Sequence, residues 1–176
     1  MLDLKDYIRT IPDYPKPGIQ FRDISTLLGH AEAYATAIDA IAQPHLGGDV
    51  DAVAGIEARG FIIAGAVAYR LGAPFIAVRK QGKLPWHTVR EEYELEYGRD
   101  AVEMHVDSAA AGHRILLIDD LVATGGTALA ATRLIEQLGA RVIGLSFIID
   151  LPALGGAERL RASGKSVQTL TAFAGE

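Results

Sequence analysis

The sequence predicts an α/β fold with a mostly parallel central sheet flanked by helices. Apolar runs rich in branched residues occur at 50–56, 115–118 and 142–149, and such runs are typical of strands buried on both faces. The first two runs each lead through a polar loop into a helical stretch, at 61–71 and 128–138. Strands that alternate with helices favour a parallel sheet covered on both sides.

The composition is that of a globular protein and excludes several kinds of site. With 176 residues, 49% hydrophobic and 22% charged, the chain is expected to form a single domain over 1–176. Because cysteine is absent, a disulfide framework, a thiolate zinc site and a cysteine nucleophile are excluded. The five histidines lack the spacing of metal ligands, so no metal held by the protein alone is expected.

Charge and hydropathy limit the partners that the chain is expected to have. The formal net charge of −5 argues against extended nucleic-acid binding. No apolar run approaches the roughly 20 residues of a membrane span, and no signal peptide is apparent at the N-terminus. We therefore expect a cytoplasmic protein with neither a membrane nor a nucleic-acid partner.

The N-terminal part of the chain is predicted to cross the core rather than to belong to it. Residues 1–11 favour a short amphipathic helix, with Leu4, Ile8 and Ile11 along one face. The prolines that follow force an extended, turning segment. The elements predicted next are an ordered crossing segment at 19–24 and a helix at 31–42.

The middle of the chain adds a strand and a long excursion. The predicted strand covers 74–78 and ends in Arg79 and Lys80. Residues 91–98 alternate acidic with apolar or aromatic side chains, as a half-exposed strand does, and 101–106 alternates again as a returning strand. We therefore expect 80–106 to leave the core as a hairpin that acts as a lid. The remaining predicted elements are a short helix at 158–161 and a last strand at 167–173.

The stretch from 115 to 127 carries the most informative polar residues. Its strand is followed by Asp119 and Asp120 and then by a Thr-Gly-Gly-Thr turn at the start of a helix. Backbone N–H groups and the helix dipole at such a turn attract anions, which predicts a phosphate site. Two carboxylates would repel phosphate alone, but they accept hydrogen bonds from vicinal hydroxyls, so the pattern indicates a ribose 5-phosphate. An acid-rich strand exit with a plain glycine turn is the alternative.

Polar residues also follow two other predicted strands. Glu57 and Arg59 lie in the loop after the strand at 50–56, and Arg79 and Lys80 follow the strand at 74–78. Ligands of parallel sheets sit at the carboxyl ends of the strands, so these residues are expected to converge with the 119–127 loop. Arg79, Lys80 and Lys83 form either a solvated surface or a second anion site large enough for pyrophosphate, which Arg59 could share. Among the acids of the excursion, the residue types alone do not single out Glu96 from Glu91, Glu92 or Glu94.

Residues 119–127 resemble the phosphoribosyl pyrophosphate (PRPP) signature of the type I phosphoribosyltransferases. The stretches 11–24, 55–61, 79–85 and 95–98 resemble those of the adenine phosphoribosyltransferases within that family. The resemblance implies the type I phosphoribosyltransferase fold with an N-terminal hood at 1–30 and a flexible lid hairpin at 80–106. It also implies purine salvage, in which PRPP and adenine give AMP and pyrophosphate with Mg²⁺ carried by PRPP, and a homodimer.

The resemblance further implies residue roles. Glu96 would handle the proton on the base, and Asp119 and Asp120 would bind the ribose hydroxyls. The other implied contacts are the 5′-phosphate with Ala123, Thr124, Gly125, Gly126 and Thr127, pyrophosphate with Arg59, Arg79, Lys80 and Lys83, and adenine with Gln20, Phe21, Arg22 and Leu121.

Two other interpretations stay open at this point. One is a sister enzyme acting on hypoxanthine, guanine or xanthine, against which the hood sequence argues. The other is a PRPP-sensing regulator without turnover, which usually carries an added DNA-binding domain; the short N-terminus and the negative charge argue against it. The chain departs from the family pattern at Trp86-His87, which affects the expected lid, and at Val122.

Overall fold

The computed structural model describes residues 2–94 and 98–175. The strands are β1 (Arg9–Pro12), β2 (Gln20–Asp23), β3 (Ala52–Ile56), β4 (Phe75–Lys80), β5 (Thr88–Glu94), β6 (Arg99–His105), β7 (Arg114–Val122), β8 (Arg141–Asp150) and β9 (Val167–Ala172). The helices are α1 (Ser25–Leu28), α2 (Ala31–Ala42), α3 (Arg59–Leu71), α4 (Gly126–Gln137) and α5 (Gly156–Ala162). Short 3₁₀ turns lie at Leu4–Tyr7, Gln43–His45 and Pro152–Leu154.

The main sheet has the strand order β5-β6-β4-β3-β7-β8-β9 within the described residues. Strands β4, β3, β7, β8 and β9 run parallel, whereas β6 is antiparallel to both β4 and β5. The predicted α/β fold with a mostly parallel sheet flanked by helices is thereby confirmed. None of the helices described is both long and apolar enough to cross a bilayer.

The central strand β7 shows why the sheet is covered on both faces. Ile115 and Leu117 point into one apolar cluster together with α4, while Leu116 and Ile118 point into a second cluster together with α2 and α3. All four side chains are at most 1% exposed. Successive residues of a strand face opposite sides of the sheet, so four consecutive apolar residues require a partner layer on each side.

The predicted helix over residues 1–11 is wrong. A 3₁₀ turn covers Leu4–Tyr7, and β1 follows it and pairs antiparallel with β2. Leu4 and Ile8 are still buried, so the apolar residues were identified correctly but their period was not. A strand forms here instead of a helix because the chain must turn back over the core after its prolines. This turn places Ile11 opposite Phe21 in the antiparallel pair.

The predicted excursion is a two-stranded hairpin formed by β5 and β6. Val89 and Tyr93 on its inner face pack against the cluster that contains α4. Gln137 on α4 donates a 2.8 Å hydrogen bond from Nε2 to Glu91 Oε2. Val89, Glu91 and Tyr93 occupy alternate positions of β5, so all three face α4. The hairpin therefore lies on α4 and extends towards the N-terminus of that helix.

Candidate active site

Strand β7 delivers the acid pair and the predicted phosphate loop to the carboxyl edge of the sheet. The strand runs on to Val122, so Asp119 and Asp120 lie within it rather than in the loop as predicted. Pairing with β8 continues past both acids, and this extends the strand. Gly125 has φ +78° and precedes α4, which begins at Gly126. A cavity of about 200 Å³ opens against this loop, with Asp119 and Phe147 in its walls.

The phosphate loop, defined as residues 123–127, is supported from behind by α5. The amide of Gly156 donates a 2.9 Å hydrogen bond to the carbonyl oxygen of Ala123. A Cβ on Gly156 would lie 2.2 Å from that oxygen and 2.7 Å from the nitrogen of Gly125. Gly156 therefore has no room for a side chain. The sequence does not single out this glycine, because its partner is about 30 residues away.

The acid pair is held by backbone and by Arg59. The amide of Asp120 donates a 2.9 Å hydrogen bond to Asp119 Oδ1, and Arg59 Nη2 lies 2.7 Å from Asp120 Oδ2 as an ion pair. Burial and the neighbouring charge of Asp120 raise the pKa of the Asp119 carboxyl well above its usual range. Gly60 packs directly beneath, since a Cβ there would lie 2.7 Å from Asp119 Oδ1. Asp119 is thus fixed in the wall of two cavities, while Asp120 is buried against Arg59.

The predicted pyrophosphate residues are paired with carboxylates. Glu57 binds Arg79 at 2.6 Å (Oε2 to Nε) and Lys83 at 3.5 Å (Oε1 to Nζ), and its side chain is only 7% exposed. Lys80 Nζ lies 3.3 Å from Asp100 Oδ2. A cavity of about 270 Å³ is lined by Ile56, Glu57, Lys80, Tyr93, Asp100, Val102, Asp119 and Thr127. It therefore connects Asp119 and the phosphate loop with Lys80 of the basic cluster.

Glu103 is a site residue that sequence reasoning missed. Its carboxylate is 5% exposed and accepts 3.1 Å hydrogen bonds from the amides of Lys83 and Leu84. These bonds fix the turn that presents Lys83 beside Glu57. The available signal was an acid in the middle of an apolar strand, because such a group is buried only where donors satisfy it.

The predicted base-binding residues come together around a third cavity of about 320 Å³. Its lining is largely apolar and consists of Ile19, Gln20, Phe21, Arg22, Arg59, Leu121, Ala123, Leu151 and Leu154. The guanidinium of Arg59 lies 5.0 Å from the centre of the Phe21 ring, which also contacts Tyr14 edge to face. The structure thus places Arg59 between the base cavity and Asp120, apart from the Glu57 pairs of Arg79 and Lys83. Its predicted pyrophosphate role stays a prediction.

Glu96, the predicted catalytic residue, lies outside the described residues. The three other acids of the same stretch that the residue types did not distinguish from Glu96 lie within the described residues. Glu91 is engaged by Gln137 on α4, Glu92 pairs with Arg90, and Glu94 is exposed. The catalytic assignment of Glu96 therefore stays a prediction.

Comparisons with known proteins identify the family to which this arrangement belongs. Residues 23–172 match the phosphoribosyl transferase domain family. The adenine phosphoribosyltransferase of Maricaulis maris is 60% identical over 174 residues, which cover 99% of either chain. The chain belongs to the adenine phosphoribosyltransferase family. The predicted family and enzyme class are confirmed.

Solved structures of other adenine phosphoribosyltransferases share the fold. The enzyme of Rhodothermus marinus has a TM-score of 0.91 and is 49% identical, with 97% of this chain and 96% of that chain covered. The Saccharomyces cerevisiae enzyme has a TM-score of 0.88 and is 35% identical over 96% of each chain. The latter was solved in complex with adenine and D-2,5-dideoxy-2,5-imino-altritol 1,6-bisphosphate.

Proposed function

We propose that the chain transfers the 5-phosphoribosyl group from PRPP to adenine, giving AMP and pyrophosphate. The observation that carries the proposal is that the cavity at the phosphate loop adjoins two others, because it shares Asp119 and Thr127 with one and Leu121 and Ala123 with the other. One is walled by the phosphate loop, one by acids and Lys80, and one by the apolar hood. PRPP with adenine has the same three parts, namely a 5′-phosphate, a charged sugar–pyrophosphate and an apolar heterocycle.

In this assignment, the phosphate loop binds the 5′-phosphate through backbone amides at the N-terminus of α4. The dipole of the helix favours a dianion there, and Thr124 and Thr127 add hydroxyl donors. Asp119 and Asp120 accept hydrogen bonds from the ribose hydroxyls. In the base cavity, Phe21 and Leu121 pack on the faces of adenine, and the backbone of Gln20 and Arg22 faces its edge.

The chemistry requires charge stabilisation at the leaving group and proton removal at the base. As the C1–pyrophosphate bond breaks, Arg79, Lys80 and Lys83 stabilise the negative charge that develops on pyrophosphate. Glu96 takes the proton from the attacking heterocycle, as a carboxylate does in general base catalysis. The hairpin covers the cavity and excludes water, which would otherwise attack the cationic ribose.

We propose that Mg²⁺ enters with PRPP and is not a resident metal. In residues 2–94 and 98–175, no three His, Cys, Asp or Glu side chains group as metal ligands. The oxygen atoms of Glu57 and Asp119 line the cavity beside Lys80, and carboxylate oxygens suit this hard cation. Bound to PRPP, the metal neutralises charge on the leaving pyrophosphate.

We also propose that two copies of the chain associate through α3. Ile62 and Tyr69 are 48% and 90% exposed, and they lie two helical turns apart on one face. Phe75, at the start of β4, adds a third exposed large hydrophobic side chain. Light scattering coupled to gel filtration should give twice the mass of the 18.7 kDa chain, and Tyr69→Glu should shift it towards the monomer.

A cytoplasmic location is proposed from the chemistry of the substrates. PRPP and AMP carry several negative charges and do not cross a hydrocarbon layer unaided. The enzyme must therefore share a compartment with the nucleotides that it supplies. Fractionation of cells that express the chain would test this proposal.

The decisive experiment is turnover with each purine in turn. The protein is incubated with PRPP, Mg²⁺ and adenine, hypoxanthine, guanine or xanthine, and nucleotide and pyrophosphate are quantified. We expect AMP and equimolar pyrophosphate from adenine alone. A nucleotide formed from another base would change the substrate assignment, and no nucleotide from any base would reject the transferase.

A further inference from the structure

Tyr93 on β5 joins the hairpin to the phosphate loop. Its half-buried ring packs beside the first residue of α4, since a Cβ added to Gly126 would lie 3.7 Å from Tyr93 Cδ2. Tyr93 and Thr127 also line the same cavity. The hairpin therefore contacts the predicted 5′-phosphate site through this aromatic side chain and through the adjoining backbone of Glu94, whose carbonyl oxygen lies 3.8 Å from the same Cβ position.

The same hydroxyl also contacts the opposite side of the cavity. Tyr93 and Asp100 are directly paired across β5 and β6, and the phenol donates a 3.2 Å hydrogen bond to Asp100 Oδ2. That oxygen also lies 3.3 Å from Lys80 Nζ, while the amide of Ala101 donates to Asp100 Oδ1 at 2.8 Å. A continuous chain of contacts thus runs from Gly126 through Tyr93 and Asp100 to Lys80.

This chain of contacts covers the negative charge of Asp100. Asp100 lines the cavity that PRPP occupies in the proposed function, and an uncovered carboxylate there would repel the polyanion. The Tyr93 hydroxyl and the Lys80 ammonium both cover it. Burial raises the pKa of the Asp100 carboxyl, but the hydrogen bonds from Ala101 and Lys80 outweigh burial and lower it overall, so the group stays charged.

We propose that Tyr93 and Asp100 are positioning residues for PRPP, which connect the phosphate loop to Lys80 and hold the hairpin over the cavity between them. This inference rests on the proposed function and adds to it, because neither residue touches the reacting atoms. Tyr93 shields the Asp100 charge and fixes β5 against Gly126. Asp100 aims Lys80 into the cavity. PRPP binding depends on both residues, whereas adenine binding under the hood does not.

Binding of Mg²⁺-PRPP, measured by calorimetry without any base, tests the proposal directly. We expect Tyr93→Phe and Asp100→Asn each to raise the PRPP Kd about tenfold, the size of one hydrogen bond to a charged group. In Asp100→Asn, the lost ion pair that aims Lys80 outweighs the removed repulsion, because Tyr93 and Lys80 already cover the Asp100 charge in the wild type. The double variant should lose little more than either single variant, since both residues act in one chain of contacts. The KM for PRPP should rise in parallel while the KM for adenine stays unchanged.

Glu92→Gln is the matched control, because Glu92 is on the same strand, is exposed and pairs only with Arg90 among the described residues. It should leave both constants unchanged. Wild-type PRPP affinity in Tyr93→Phe, or an equal loss for PRPP and adenine, would overturn the proposal. If Tyr93→Phe does not fold, as judged by thermal melting, Asp100→Asn decides by the same measurements. PRPP binding without AMP formation by the wild type would reject the proposed function alone.

Discussion

The phosphate loop and the basic cluster of Arg79, Lys80 and Lys83 prepare for anions in opposite ways. The loop uses backbone amides in a shape fixed by the close contact between Gly125 and Gly156. The cluster uses long side chains that are already paired with Glu57 and Asp100. The donors of the first region are held in place by the backbone, whereas the charges of the second are held in place by ion pairs with carboxylates.

This difference predicts how each region responds to change. A backbone site is lost when its geometry is disturbed, because every donor moves together. A site made of exchangeable ion pairs weakens gradually and depends on salt, since partly exposed charges are screened by ions. The consequence is that one region sets whether PRPP binds, and the other tunes how tightly it binds.

The largest effect is expected from Gly125→Val. A Cβ at this position would lie 3.0 Å from the carbonyl oxygen of Gly156, and the φ of +78° disfavours a branched residue. Strain and overpacking of roughly 2–6 kcal/mol should reshape the loop and weaken PRPP binding by about 100-fold or more. Calorimetry with PRPP measures this loss.

Gly164→Val is the control for that substitution. Gly164 also has a positive φ, of +82°, but no atom lies within 4 Å of a Cβ built there. Backbone strain is therefore matched while the phosphate loop is untouched. PRPP affinity should be retained in this control, and equal losses in the two variants would show that general strain, not the Gly156 contact, is responsible.

Glu96→Gln should have an effect of comparable size, but on turnover alone. Removing a general base typically costs about 100- to 10,000-fold in rate, while the uncharged amide leaves the PRPP contacts in place. Initial rates at saturating substrates, together with the PRPP Kd, separate the two quantities. Unchanged turnover would remove Glu96 from the mechanism, and Glu94→Gln, at an exposed position two residues earlier, provides the comparison.

Arg79→Gln should produce a smaller and salt-dependent loss. The substitution removes one charge near pyrophosphate and frees Glu57, which is buried and then keeps only Lys83 as an ionic partner among the described side chains. We expect the KM for PRPP to rise about tenfold at low salt. The slope of log KM against log salt concentration should become shallower than in the wild type; an identical slope would contradict a direct contact with the polyanion.

The smallest effect is expected in the stability of Asp119→Asn. The folded protein raises the Asp119 pKa, so it binds a proton more readily than the unfolded chain, and its stability falls as pH rises above the unfolded pKa of 3.8. Asparagine removes this cost. The melting temperature of the variant should exceed that of the wild type at pH 7, by about 2–4 °C for each kcal/mol gained in the free energy of unfolding. At pH 4 the difference should be smaller.

Scanning calorimetry at the two pH values checks the sign of the difference. A gain that is larger at pH 4 than at pH 7 would contradict the raised pKa. PRPP affinity should fall in the same variant, because a ribose hydroxyl loses a charged acceptor. The acid pair would then be a feature kept for binding at the expense of stability.

The regions that the sequence predicted well are those whose meaning is local. Residues 115–127 carry the strand, the acid pair, the glycine turn and the helix start within 13 positions, so short-range pattern and turn chemistry were sufficient. The hairpin of β5 and β6 was predicted for the same reason, since the alternation of side chains along each strand is visible without a partner.

The features that were missed depend on partners distant in sequence. Glu57 was noted only as an acid in a loop, and its task of holding Arg79 and Lys83 follows from the packing of β3 beside β4. Gly156 and Glu103 are likewise defined by backbone groups of other segments. The N-terminal helix failed because pairing with β2 overrode a weak helical period, and no local pattern reveals such a pairing.

The support of the phosphate loop by Gly156 has a consequence for synthesis of the chain on the ribosome. The loop emerges about 30 residues before the glycine that fixes its shape, a delay of roughly 2–6 s at usual elongation rates. During that interval the nascent chain has the sequence of the PRPP signature without its final backbone. We therefore expect a chain that ends before Gly156 to bind PRPP more weakly than the finished chain.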